Sequence, residues 1–77
     1  MKKVILPELG EGITKATVTY WHFQEGDSLK EGEDLVELAT DKATFNLPSS
    51  ATGKLSKILV EEGVSVEVGS ALAEIQE

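Results

Sequence analysis

Two stretches of this chain repeat each other without a gap. Glu25 to Leu38 overlays Glu62 to Ile75 at a constant offset of 37, with six of fourteen positions identical. The apolar positions correspond as well: Leu29 with Val66, Leu35 with Leu72, Leu38 with Ile75. Each copy reads as a Gly turn, one buried apolar residue, a second Gly turn and a strand. Two such halves related by a pseudo-twofold can bury their apolar faces in one core. That solution suits 77 residues with no cysteine. At this length folding buries only ~60% of the surface the unfolded chain exposes, and neither disulfides nor a Cys/His metal cage can act as a staple.

Along the whole chain the apolar positions mostly follow short runs or a period of two: Val4-Ile5-Leu6, then Ala16, Val18, Tyr20, then Leu35, Val36, Leu38, then Phe45, Leu47, then Leu55, Ile58, Val60, and Leu72, Ala73, Ile75. Turn-forming residues separate these runs about every ten residues, the pattern of an all-β chain. Gly53 to Glu62 carries Leu55, Ile58, Leu59 and Glu62 at helical spacing. Its periodic part, Leu55 to Glu62, is shorter than the ~10–12 residues a helix needs, and Gly bounds both ends, so the stretch reads as a strand. The chain is one domain, residues 1–77, with no room for a second.

Seven Lys, no Arg and fourteen Asp or Glu give a net charge of -7. Such a field repels phosphate backbones and anionic lipid, which argues against nucleic acid and membrane as partners and favours basic protein surfaces. Met1-Lys2-Lys3 precedes only three apolar residues before Pro7, too few for a secretory signal or a membrane span. An intracellular protein is expected, cytoplasmic in a prokaryote or mitochondrial in a eukaryote.

Between strands at Leu35 to Thr40 and Ala43 to Leu47 only Asp41 and Lys42 remain, a hairpin connection without the Asn-Gly or Asp-Gly signature. Lys42 is then the tip residue. A lysine ammonium is a poor nucleophile at neutral pH and nothing nearby in sequence activates it, so Lys42 is better suited to being modified than to catalysing. The repeat places this tip and the chain terminus at opposite ends of the molecule, an arrangement that fits a tethered module.

The run Leu6-Pro7-Glu8-Leu9-Gly10-Glu11-Gly12-Ile13, with Trp21, Glu25-Gly26-Asp27, Thr40-Asp41-Lys42-Ala43-Thr44, Leu47-Pro48, Gly53, Glu62-Gly63 and Val68-Gly69, resembles the lipoyl domain of the dihydrolipoamide acyltransferase component of 2-oxo acid dehydrogenase complexes. The likeness runs from Val4 to Ile75. It implies a flattened barrel of two four-stranded antiparallel sheets with pseudo-twofold symmetry, in agreement with the repeat. It also implies lipoic acid in amide linkage to Lys42, with Asp41 and Ala43 as hairpin flanks. The arm would be reductively acylated by a thiamin-dependent 2-oxo acid decarboxylase, deliver its acyl group to coenzyme A at the acyltransferase core, and be reoxidised by dihydrolipoamide dehydrogenase. A lipoate-attaching enzyme would load it. The domain itself would supply no acid, base or nucleophile. The loop Glu8, Leu9, Gly10, Glu11, Gly12, Ile13 would help the decarboxylase recognise its carrier. The resemblance further implies an N-terminal piece of a longer acyltransferase chain, with the isolated domain a monomer. One departure stands out: the family often reads Glu-Thr-Asp-Lys-Ala at the hairpin, and here Ala39 replaces the Glu.

Two other functions compete. A biotin carrier on the same fold resembles Met-Lys-Met at its tip, and both Met are missing. An unmodified acidic interaction module would tolerate loss of Lys42, which either carrier would not. Gly10-Glu11-Gly12 lacks the Lys-Ser or Lys-Thr of a phosphate cradle. His22, between Trp21 and Phe23, has no companion metal ligand and reads as a strand residue, with Trp21 as a packing residue. Glu31, Glu33, Asp34 and Glu37 read as a solvated face, and Ser49, Ser50 and Thr52 as a turn before Gly53.

Overall fold

Turns, five of the seven with glycine in them, cut this chain into eight short strands in the computed structural model, which describes residues 1–77. They are β1 (Lys2–Ile5), β2 (Lys15–Trp21), β3 (Ser28–Leu29), β4 (Asp34–Ala39), β5 (Thr44–Pro48), β6 (Gly53–Ile58), β7 (Ser65–Glu67) and β8 (Ala71–Gln76). One antiparallel sheet has the order β1-β8-β6-β3 and the other β5-β4-β2-β7. The chain is all-β, as its periodicity implies, and its two four-stranded sheets are those the family resemblance implies. No helix is long and apolar enough to cross a membrane.

The repeat is a physical symmetry, visible bond by bond. Gly26 donates its N–H to the Leu55 carbonyl and Gly63 to the Val18 carbonyl, both at 2.7 Å. Both glycines hold a left-handed φ, +95° and +92°, that a side chain would strain. The Glu25 carboxylate accepts the Ile58 N–H at 2.8 Å, and the Glu62 carboxylate accepts the Trp21 N–H at 3.0 Å. Every one of these partners is offset by 37, so each half closes the other's bulged strand.

The inner faces of both sheets interdigitate in a single core. Leu55, Leu72 and Ile75 from one sheet and Val18, Leu35, Val36 and Leu38 from the other are fully buried, each contributing ~1.5–3 kcal/mol of transfer free energy. Leu29 and Val66 of the repeat are buried at equivalent places. Trp21 packs on this core and donates its indole N–H to the Val60 carbonyl at 2.9 Å. That polar partner lets a large aromatic stay inside.

Four expectations need correction. The period-two reading puts Tyr20 inside with Val18, but the register shifts between Val18 and Tyr20, which leaves Tyr20 53% exposed and turns Trp21 inward. His22 lies one residue past β2; its N–H still bonds the Leu35 carbonyl at 3.0 Å, while its Nε2 contacts Asn46 Oδ1. The strand expected from Gly53 to Glu62 stops at Ile58, because the Glu61–Val64 turn mirrors Gln24–Asp27. The hairpin strands end at Ala39 and resume at Thr44, one residue further from the tip on each side. Thr40 leaves the strand because its hydroxyl takes up turn amides.

Candidate functional site

The β4–β5 hairpin carries Lys42 at its tip, and Thr40 shapes it. Thr40 donates its N–H to the Ala43 carbonyl at 2.8 Å. Its hydroxyl accepts the N–H of Lys42 at 3.2 Å and of Ala43 at 3.0 Å, and donates to the Ala43 carbonyl. A side-chain oxygen thus supplies what an Asn-Gly turn supplies through left-handed backbone. Asp41, Lys42 and Ala43 are all exposed. The hairpin is therefore a fixed mount for a side chain that projects into solvent.

The connection from β1 to β2 lies beside this tip. A Cβ built on Gly12 would sit 3.8 Å from Lys42 Nζ, so a residue larger than Ala there would crowd the amine. Gly12 also has φ +80°, unfavourable for any side chain. The feet of the loop are bonded to the turn region before β8: Gly69 donates to the Leu6 carbonyl at 2.8 Å and Val68 to the Thr14 carbonyl at 2.9 Å. Leu9 packs against the core, and Ile13 closes on Gly10 through an N–H to carbonyl bond of 3.2 Å. Glu8 and Glu11 are exposed.

Symmetry shows what is special about this loop. Leu6 and Ser49 are equivalent, because Leu6 donates its N–H to Ser70 and Ser49 to Glu33, again 37 apart. From Ser49 to Gly53 the chain takes four steps; from Leu6 to Ala16, the counterpart of Gly53, it takes ten. The six additional residues sit at the lysine end. A groove of about 410 Å³ opens between this loop and the hairpin, lined among others by Ile13, Lys15, Thr17, Ala39 and Thr40. Ala39, at the foot of the hairpin, forms part of the groove wall.

The chain ends lie at the other pole. β1 pairs Lys2 with Ile75, and Glu33, the residue before β4, shares a surface depression with Glu77. β4 then runs away from that pole to the Lys42 tip along a body 33 Å long. No group of three or more His, Cys, Asp or Glu is arranged to hold a metal. The loop that contains Gly12 lies near Lys42 as the family resemblance implies; the part of Thr40 as the hairpin's organiser was not foreseen, although a hydroxyl two residues before the tip was a local signal for it.

A family model for biotin and lipoyl attachment, described as biotin-requiring enzyme, matches residues 2–75. The chain is 46% identical over 77 residues to the dihydrolipoyllysine-residue succinyltransferase component of the 2-oxoglutarate dehydrogenase complex of Staphylococcus saprophyticus, covering 100% of this chain and 18% of that protein. It is 50% identical over 74 residues to the dihydrolipoyllysine-residue acetyltransferase component of the pyruvate dehydrogenase complex of Mycobacterium tuberculosis, covering 96% and 13%. The chain thus spans less than a fifth of the length of these relatives. The solution structure of the lipoyl domain of the 2-oxoglutarate dehydrogenase complex from Azotobacter vinelandii superposes with a TM-score of 0.80 at 30% identity, covering 100% of this chain and 98% of that one.

Proposed function

The chain belongs to the biotin- and lipoyl-attachment family, and on that premise we propose that it is a lipoyl carrier domain, modified on Lys42, of a 2-oxo acid dehydrogenase complex. The observation that carries this reading is an exposed lysine at the tip of a hairpin pinned by Thr40, flanked by Asp41 and Ala43 and not by the Met residues of a biotin carrier. The surroundings fit an attached arm: Gly12 leaves the space beside the amine open, and the body of the domain lies behind it.

Amide-linked there, lipoic acid supplies a dithiolane that accepts an acyl group and two electrons and gives them up again. The chain's own residues do the rest. Thr40 holds the tip rigid. Asp41 and Ala43 present the lysine to the lipoate-attaching enzyme. The loop from Glu8 to Ile13 offers two carboxylates, Glu8 and Glu11, to a thiamin-dependent decarboxylase. The opposite pole, where both termini lie, is the side from which a tether can hold the domain within reach of the acyltransferase core and a dihydrolipoamide dehydrogenase, raising the effective concentration of the arm at each. No acid, base or nucleophile of this domain takes part, so it is a carrier and not itself an enzyme. With succinyl- and acetyltransferase components both among its relatives, the reading extends to the class of 2-oxo acids and not to one member. Those relatives are bacterial, and a cytoplasmic location follows from that reading.

The test is intact mass after incubation with a lipoate ligase, ATP and lipoic acid, with Lys42→Arg alongside and a biotin ligase reaction in parallel. One lipoyl increment on the wild type and none on Lys42→Arg is expected. A biotinyl increment, or none from either enzyme, overturns the reading.

A further inference from the structure

Each of the two sheets leaves two strand edges open, four in all: β1, β3, β5 and β7. An open edge invites pairing with another strand, and proteins blunt such edges by shortness or by charge. β3 has two residues and β7 three, ending in Glu67. β1 carries Lys2 and Lys3. β5, Thr44–Pro48, has five residues and no charge, with Pro48 only at its far end.

The groups on that edge can be read from the ladder. Thr40 and Ala43 form a hydrogen-bonded pair, so alternation makes Leu38–Phe45 and Val36–Leu47 bonded pairs and leaves Ala39–Thr44 and Glu37–Asn46 unbonded. The other side of β4 agrees, since the Glu37 carbonyl accepts the Thr19 hydroxyl and the Leu35 carbonyl accepts the His22 N–H, both on the β2 side. The N–H and carbonyl groups of Thr44 and Asn46 therefore point away from β4. β5 packs against no other strand, and Thr44 and Asn46 are exposed.

The pseudo-twofold supplies an internal control. β1 pairs with β8 as β5 pairs with β4, which makes Lys3 the counterpart of Asn46 and Lys2 that of Phe45. The same edge is guarded at the terminal pole and unguarded at the pole that carries Lys42. Its first free group, Thr44, is two residues from the lysine.

We propose that the free edge of β5 is the docking site of the lipoate-attaching enzyme, which adds an extended strand of its own to Thr44–Leu47 and so brings its active site to Lys42. This rests on the carrier reading above. Main-chain bonds are independent of side-chain identity, and this edge starts two residues from the lysine the enzyme must reach. A decarboxylase that distinguishes among carriers needs side chains, and those stand on the loop from Glu8 to Ile13.

Hydrogen exchange of the isotopically labelled 77-residue chain, with unlabelled lipoate ligase and lipoic acid but no ATP, reads the edge directly. The amides of Thr44 and Asn46 exchange fast in the free domain and are expected to slow at least ~10-fold in the complex, as amides that gain a hydrogen bond do. Protection confined to residues 8–13 or 41–43 overturns the proposal. So does protection that appears without ligase and grows with domain concentration, which would mark edge-to-edge pairing of two copies. Asn46→Pro removes one outward N–H at a position where an edge tolerates proline; with the Leu38 and Leu55 amides still protected, its KM in the ligase reaction should rise ~5-fold, the equivalent of one hydrogen bond. An unchanged KM in the folded variant overturns the proposal. A lipoyl increment on the wild type without edge protection sinks the docking site alone; no increment sinks the carrier reading and the docking site with it.

Discussion

Thr40 and Ala43 are joined by three hydrogen bonds: Thr40 N–H to the Ala43 carbonyl at 2.8 Å, Thr40 hydroxyl to the same carbonyl at 3.0 Å, and Ala43 N–H to that hydroxyl at 3.0 Å. Two of the three use the Thr40 hydroxyl, so the Lys42 mount is held by a side chain as well as by the backbone. Thr40→Val keeps the β-branched shape and removes the oxygen. The exposed amides turn to water, so the cost to stability should stay below ~1 kcal/mol, while exchange at Lys42 and Ala43 speeds up ~5-fold. Thr40→Ser should restore the wild-type rates. Equal rates in all three proteins would show that the backbone holds the turn unaided.

The two symmetry-related carboxylates should be unequal. Glu62 accepts the N–H of Trp21 in a partly buried setting, whereas Glu25 accepts that of Ile58 at an exposed one. Urea denaturation should find Glu62→Ala less stable by ~1–2 kcal/mol and Glu25→Ala by about half as much, because a buried orphan amide loses more than one that water can reach. The reverse order would mean that crowding around the bulges, and not desolvation, sets the cost.

The six residues Glu8 to Ile13 can be cut out. Leu6 and Ala16 would then be joined by the same number of residues as Ser49 and Gly53, a connection the other half already uses. The shortened chain should fold, losing ~1–2 kcal/mol with the burial of Leu9. It should still take a lipoyl increment on Lys42, and its reductive acylation by a cognate decarboxylase should fall more than ~10-fold, a loss of at least ~1.4 kcal/mol of recognition. Undiminished acylation would remove the loop from the recognition surface.

Gly53 is required by close approach and not by backbone conformation. A Cβ there would run into the Gln76 carbonyl and the backbone beyond it, on the neighbouring strand β8. Gly53→Ala should cost ~1–3 kcal/mol, the range for overpacking, and should leave lipoylation at the opposite pole intact. A urea midpoint equal to that of the wild type would mean that the chain end yields freely.

Much of this molecule is written in local order. The offset of 37 establishes two equivalent halves, and the glycines and alternating apolar residues within each establish turns, strands and an inward face. Lys42 at a hairpin tip follows from strands separated by too few residues for any other connection. Local periodicity carries no information once the register breaks, which is why Tyr20 faces outward and Trp21 inward after the bulge in β2. Nor can it bring together residues far apart in sequence. Thr17 pairs with Ala39 beside the hairpin, and β5 is left with an open edge, because the two sheets pack in one particular way. Each of those relationships depends on which strand becomes the neighbour of which. That choice is made by burying both apolar faces at once, so only the tertiary structure decided it.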